Sequence, residues 1–281
     1  VEGKLESERT ERHSPEITPE PENGCDSKVS QPEFGEGWGL FASRIGTVPW
    51  SMRDVVVASA IFAPIGVGGS LGLGLLLARS VLSDDRILAI LLGSTLLPVA
   101  LIAGAWLFGL RRYNVPASLL GFKRTSATSA FWLPVVALSI GLTATGVYAL
   151  AMKALGIDML VPNQNLEEIG ALDGFARVPT FAIVGLLAPF GEEVFFRGFL
   201  LAALVPIIGG LRGALVSSAI FSVAHLSIGT LFPIFVMGML LAWLYLRTGS
   251  IWPAFVAHAA QNLLALIFLQ IPFDAPTAAV L

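Results

Sequence analysis

Seven apolar stretches separated by short polar breaks constrain this chain more than any single motif does. They cover residues 55–78, 87–110, 131–152, 180–205, 213–225, 230–246 and 251–270. A helix of ~20 apolar residues crosses the hydrocarbon core of a bilayer, and it satisfies its own backbone hydrogen bonds where no water can. The pattern therefore predicts an all-α fold, a multi-pass transmembrane helical bundle of about seven spans. The fifth stretch is short and is read as extending toward Ser227. Composition agrees: 55% of the 281 residues are hydrophobic and 13% are charged, against roughly 25% charged in a soluble domain.

The net charge of −3 is unevenly spread. Residues 1–36 hold ten of the twenty carboxylates, from Glu2 to Glu36, against four basic residues. Residues 1–48 accordingly read as a disordered acidic N-terminal tail, interrupted by Pro15, Pro19, Pro21 and Pro32 and too poor in apolar residues to fold alone. Residues 49–178 read as N-terminal transmembrane helices with their loops, and 179–281 as the core that holds the site inside the bundle. The first 35 residues are polar and rich in Pro, Glu and Ser, so no cleavable signal peptide is expected. Cys25 is the single cysteine, which excludes an intramolecular disulfide and a cysteine-based metal site. No clustered basic face suggests nucleic acid as a partner. The bilayer is the partner that composition implies.

Orientation follows from the basic flanks. With seven spans and the N-terminus inside, the inner flanks carry Arg44, Arg53, Arg111, Arg112, Lys123, Arg124, Arg212 and Arg247, and the outer flanks Arg79, Arg86, Lys153 and Arg177. The positive-inside rule then favours a cytoplasmic N-terminus. Trp50, Trp132 and Trp252 fall at span ends, where an aromatic belt is expected. In the run 66–74, Gly68 and Gly72 form a small-xxx-small pair suited to close helix packing. Asn165-x-x-Glu168 reads as a capping box. The short interfacial helix that it opens is expected to pack on the surface, with a lid as the alternative.

The chemistry sits in Gly191-Glu-Glu-Val-Phe-Phe-Arg-Gly198. A charge at the centre of a bilayer costs at least ~2.5–3.5 kcal/mol, so three in one span should face the protein interior or a water-filled cavity. Glu193 and Arg197, four apart, share a helix face in the favourable order. Glu192 lies about 140° away from Arg197 at ~3.6 residues per turn. Arg197 is thus expected to neutralise Glu193 and leave Glu192 free to act. Phe221 and His225 are also four apart, as are His258 and Asn262. A simple depth count, at ~1.5 Å per residue, puts Glu192 about 18 Å, His225 about 21 Å and His258 about 10 Å from the inner ends of their helices. A buried carboxylate, alone or with His225, can act as general base on water. His258 and Asn262 can donate to an oxyanion. Amide hydrolysis is the reaction that such a set serves. Zinc held by Glu192, His225 and His258 is the competing reading, less favoured because the ligands are spread over three helices with no H-E-x-x-H. A proton-relay transporter or a structural, partner-binding membrane protein would also keep Glu and His in the membrane.

Glu192-Glu193-x-x-x-Arg197, Phe221-x-x-x-His225 and His258-x-x-x-Asn262, in that order, resemble the three motifs of the CPBP family. These are CAAX-processing and bacteriocin-processing intramembrane proteases, also called the ABI family. The stretch 244–252 and, weakly, 118–124 look like the same family, and the resemblance covers about residues 180–269. It implies a glutamic-type intramembrane endopeptidase of the cell membrane, similar to CAAX prenyl protease 2. By motif position Glu192 would activate water with help from His225, and His258 and Asn262 would hold the oxyanion. Glu193 and Arg197 would support the site, with Phe221 beside it. No cofactor is implied, and the substrate would be a membrane-associated peptide or a prenylated protein. Some members of the family are immunity factors or scaffolds, which gives the non-proteolytic alternative.

Overall fold

A computed structural model describes residues 45–80, 93–162 and 177–269, all within one compact unit, Glu33–Leu281. The described residues are helical, with no strand among them. Helix α1 spans Met52–Ser80. Helix α2 spans Leu96–Ala105 and continues as a wider π-helical stretch over Trp106–Arg111. Helix α3 is Ala127–Ala154. Helix α4 runs unbroken over residues 177–208, with π-helical turns at Ile183–Leu187 and Glu193–Leu201. Helices α5, α6 and α7 are Gly210–Ala224, Leu231–Thr248 and Ile251–Leu269.

Each of the seven apolar stretches therefore holds a helix, although residues 87–92 of the second lie outside the described residues. Met52–Leu76, Ala127–Ala154, Leu231–Thr248 and Ile251–Phe268 are long and apolar enough to cross a membrane, and Leu96–Arg111 and Gly210–Ala224 are shorter apolar helices. Leu71 and Leu76 on α1, and Phe131, Trp132 and Val147 on α3, are exposed large hydrophobics. Apolar surface of that extent is suited to lipid, not water. The chain is a multi-pass helical membrane bundle.

Helix α4 is its axis. From Gly191 onward it is buried on nearly every side, through Leu204, as expected of a helix that is apolar all round. Phe195, Phe196, Phe199 and Leu201 pack in one core with Leu101, Leu120, Phe221, Tyr245 and Ile251. At one end of the bundle, Asp54 ties the start of α1 to the end of α2. It accepts from the Tyr113 hydroxyl at 2.7 Å and from Ser51 N at 2.9 Å, and Arg112 Nε stands 3.4 Å away.

Three details differ from the sequence reading. Trp50 is not a belt residue: it is 3% exposed and donates from Nε1 to the Phe199 carbonyl at 3.0 Å. An indole in the core needs such an acceptor. Trp132 and Trp252 do lie on the surface. Gly68 and Gly72 are not the packing pair, since a Cβ on either would meet nothing within 4 Å. The α1–α2 contact uses Gly66 and Gly69 against Leu97 and Leu96, and Gly93 against the backbone of Gly74. The two glycine pairs lie on faces roughly 110° apart at ~3.6 residues per turn, and they are indistinguishable until a partner selects one. Finally, the stretch read as tail to residue 48 is already packed at Ile45, which belongs to the core; residues 1–44 and the capping box at Asn165 lie outside the described residues.

Gly198 makes a closer approach. A Cβ there would stand 2.6 Å from the Leu120 carbonyl oxygen, and a backbone atom cannot rotate aside. Gly198→Ala is expected to cost ~1–3 kcal/mol of stability, as overpacking does, seen as a lower apparent Tm of purified protein in detergent. Gly68→Ala is the matched control, expected to lose nothing because alanine is the better helix former.

Candidate active site

Helix α5 is only fifteen residues long, or about 22 Å, so it stops before crossing the bundle. Leu226 turns the chain with φ 52°, a left-handed conformation that a branched side chain adopts at a cost of roughly 1–2 kcal/mol. His225 is the residue just before that turn, at the helix end. Its Nδ1 lies 2.8 Å from the Phe221 carbonyl oxygen and donates to it, which leaves Nε2 for another partner.

The depth count left His258 some 10 Å short of the other two groups. The structure removes the gap because the helices do not begin at one level. The 3-10 turn Ala117–Leu120 is tucked against Gly198, and Ile251 N donates to the Gly121 carbonyl at 3.0 Å. Helix α7 therefore starts inside the protein, beside Gly198, with Ile251 fully buried. Glu192 is six residues from that level and His258 seven, or about 9 Å and 10 Å. They meet: His258 Nε2 stands 3.7 Å from Glu192 Oε2.

The two glutamates differ sharply in setting. Glu193 is 0% exposed and its Oε1 accepts from Arg197 Nη1 at 2.9 Å. The same oxygen lies 2.8 Å from His258 Nδ1, which donates to it, so Glu193 fixes the ring orientation of His258 as well as its own ion pair. Arg197, 1% exposed, also donates from Nη2 to the Gly238 carbonyl at 3.2 Å and lies 4.4 Å over the Phe221 ring. Phe221 is the hub, edge-to-face with both His225 and His258 at 4.8 and 5.7 Å between ring centres. The wide turn that begins at Glu193 was not legible in the sequence. Such π-helical turns recur at functional sites.

Glu192, Phe221, His225, His258 and Asn262 line one cavity of about 160 Å³. Glu193 and Arg197 lie behind its wall. Asn262 donates through Nδ2 to the Val184 carbonyl at 2.9 Å, leaving the second amide hydrogen for another acceptor. Glu192 Oε2 has no hydrogen-bond partner, and neither does Gln261 Oε1. Gln261 also lines the cavity and was missed in the sequence. Its signal was there: three residues beyond His258, it shares the helix face that presents the imidazole. Among the described residues no three His, Asp or Glu side chains are grouped so as to hold a metal ion. The arrangement offers one accessible carboxylate, one exposed imidazole, one imidazole held between two carboxylates, and an amide donor.

Residues 174–264 match the profile of the family described as type II CAAX prenyl endopeptidase Rce1-like. A curated protein of Bacillus subtilis (strain 168), named "Putative membrane peptidase YdiL", is 34% identical over 106 residues, which are 37% of this chain and 43% of that relative. The chain thus spans less than half the length of this relative. No solved structure matches it.

Proposed function

We propose that this chain, whose residues 174–264 match the Rce1-like family profile, is an intramembrane endopeptidase in which Glu192 activates water against a peptide bond. One observation carries the reading: Glu192, His225, His258 and Asn262, from three separate helices, line a single cavity while the second glutamate is sealed behind it in an ion pair.

In this mechanism a water molecule sits between Glu192 and His225. Glu192 takes its proton as the water oxygen bonds to the carbonyl carbon, and the carbonyl electron pair moves onto oxygen. The Asn262 amide and the protonated Nε2 of His258 donate to that oxyanion. Donors fixed before the reaction stabilise developing charge without reorganising. Glu193, on the far side of the imidazole, holds it in place and balances its charge, as a carboxylate behind a histidine commonly does. The oxyanion then collapses, the carbon–nitrogen bond breaks, and Glu192 returns its proton to the leaving amine. Arg197 holds Glu193 through their ion pair and takes no part in the bond changes.

The substrate class that fits is a membrane-associated peptide, with a prenylated protein as one member of that class. The chemistry is proposed as metal-free, because the Glu192, His225 and His258 donors are not grouped as a ligand set. The test is cleavage of a quenched-fluorescent peptide panel, lipidated and plain, by the protein in nanodiscs with and without a chelator. Cleavage that a chelator leaves intact is expected. Cleavage abolished by chelator and restored by zinc would overturn the metal-free step, and no cleavage of any peptide by folded protein would count against the peptidase reading.

A further inference from the structure

Six buried side-chain atoms among the described residues have no hydrogen-bond partner in the protein. Four of them, on Ser70, Glu193, Arg197 and Ser218, belong to residues that do not line the cavity. The other two are Glu192 Oε2 and Gln261 Oε1, and both of these residues do line it. Each is an acceptor. A buried acceptor without a donor is unfavourable, and folded proteins carry few of them. The water proposed to bind Glu192 brings a donor to the first. The second is left over, and Gln261 takes no part in the mechanism above.

The place of Gln261 on α7 indicates which donor fits. Viewed down the helix at ~3.6 residues per turn, Gln261 lies about 60° to one side of His258 and Asn262 about 40° to the other. The donors proposed for the scissile carbonyl are Nε2 of His258 and the second amide hydrogen of Asn262, whose first is held by the Val184 carbonyl. Gln261 thus sets an acceptor beside two donors on one face of one helix. That is the complement of a single extended residue, whose N–H and C=O point to the same side of the chain. Paired residues in an antiparallel ladder use them in this way, one donating and one accepting.

We infer that Gln261 is a substrate-binding residue: its Oε1 accepts a hydrogen bond from the backbone N–H of the residue that carries the scissile carbonyl, and so aligns that carbonyl with His258 and Asn262. The inference rests on the peptidase reading. A residue inside a helix has its N–H already bonded to the carbonyl four residues earlier, so the contact selects a scissile residue in extended chain. It also selects an amide at that position, because a site with a buried acceptor discriminates against a ligand that lacks the donor.

The test pairs a change in the protein with the matching change in the substrate. The probe is a peptide of the panel that the wild type cleaves, its cut site located by mass spectrometry. Its analogue carries an ester oxygen in place of the N–H of the residue with the scissile carbonyl. Cleavage of the same bond, read as kcat/KM, is compared for wild type, Gln261→Met and Gln261→Leu in nanodiscs. The wild type is expected to cleave the ester analogue roughly tenfold more slowly, the scale for an acceptor left unpaired. Gln261→Met is expected to lose a similar factor on the parent peptide, and to cleave parent and analogue within about twofold of each other. Its apparent Tm should match the wild type, because Oε1 makes no bond within the protein. Gln261→Leu repeats the comparison if the methionine variant folds poorly. A wild type indifferent to the ester, or a Gln261→Met protein that still discriminates against it as the wild type does, would overturn the inference and leave the peptidase reading in place. A folded wild type that cleaves no peptide would overturn both.

Discussion

Glu192→Gln is expected to abolish peptide cleavage, by roughly 10²–10⁴-fold for loss of a general base, while the protein expresses, purifies and melts like the wild type. The substitution keeps the size and shape of the side chain and removes only its capacity to take a proton. Stability should not suffer, because Glu192 makes little use of its charge in the fold. Its Oε2 has no hydrogen-bond partner and lies 3.7 Å from His258 Nε2, with the side chain 21% exposed in the cavity. The measurement is initial cleavage rate alongside apparent Tm on the same preparations. A Glu192→Gln protein that retains wild-type cleavage would assign the base to another group. Loss of both cleavage and folding would mean that the carboxylate has a structural role not seen in its contacts.

Arg197→Ala should do the reverse and act first on stability. It leaves Glu193, fully buried, with His258 as its remaining partner, and it vacates the contacts with the Gly238 carbonyl and the Phe221 ring. Removing one partner of a buried ion pair typically costs ~3–5 kcal/mol because the other charge stays desolvated. The expected result is a large fall in apparent Tm in detergent and low yield of folded protein. Replacing both partners, Arg197→Met with Glu193→Gln, should recover much of that stability without restoring full cleavage, since the carboxylate that holds His258 is then gone. If Arg197→Ala is as stable as wild type, Glu193 and Arg197 do not have the division of roles argued here.

Much of this was legible before any coordinates. Runs of ~20 apolar residues admit few structures in lipid, so the helical spans follow from hydropathy alone. The pairing of Arg197 with Glu193, and not with Glu192, follows from a spacing of four on one helix. The motifs of α4, α5 and α7 could be named as candidates because ionisable groups are scarce in the bundle interior. Other features could not be read. Trp50 at a span end looks the same whether it faces headgroups or a carbonyl in the core. Gln261 is a different case: its spacing of three from His258 on one helix face was legible and was passed over.

What the sequence by itself determined is the class of fold and the inventory of polar groups within it, since both depend on the local cost of placing a residue in hydrocarbon. Only the tertiary structure decided how those groups meet. Depth along separate helices is set by where each begins relative to its neighbours. Here that depends on the 117–121 turn lying against Gly198 and starting α7 inside the protein. The hold of Glu193 on His258, sixty-five residues apart, likewise comes from packing between helices. No periodicity within one helix encodes it.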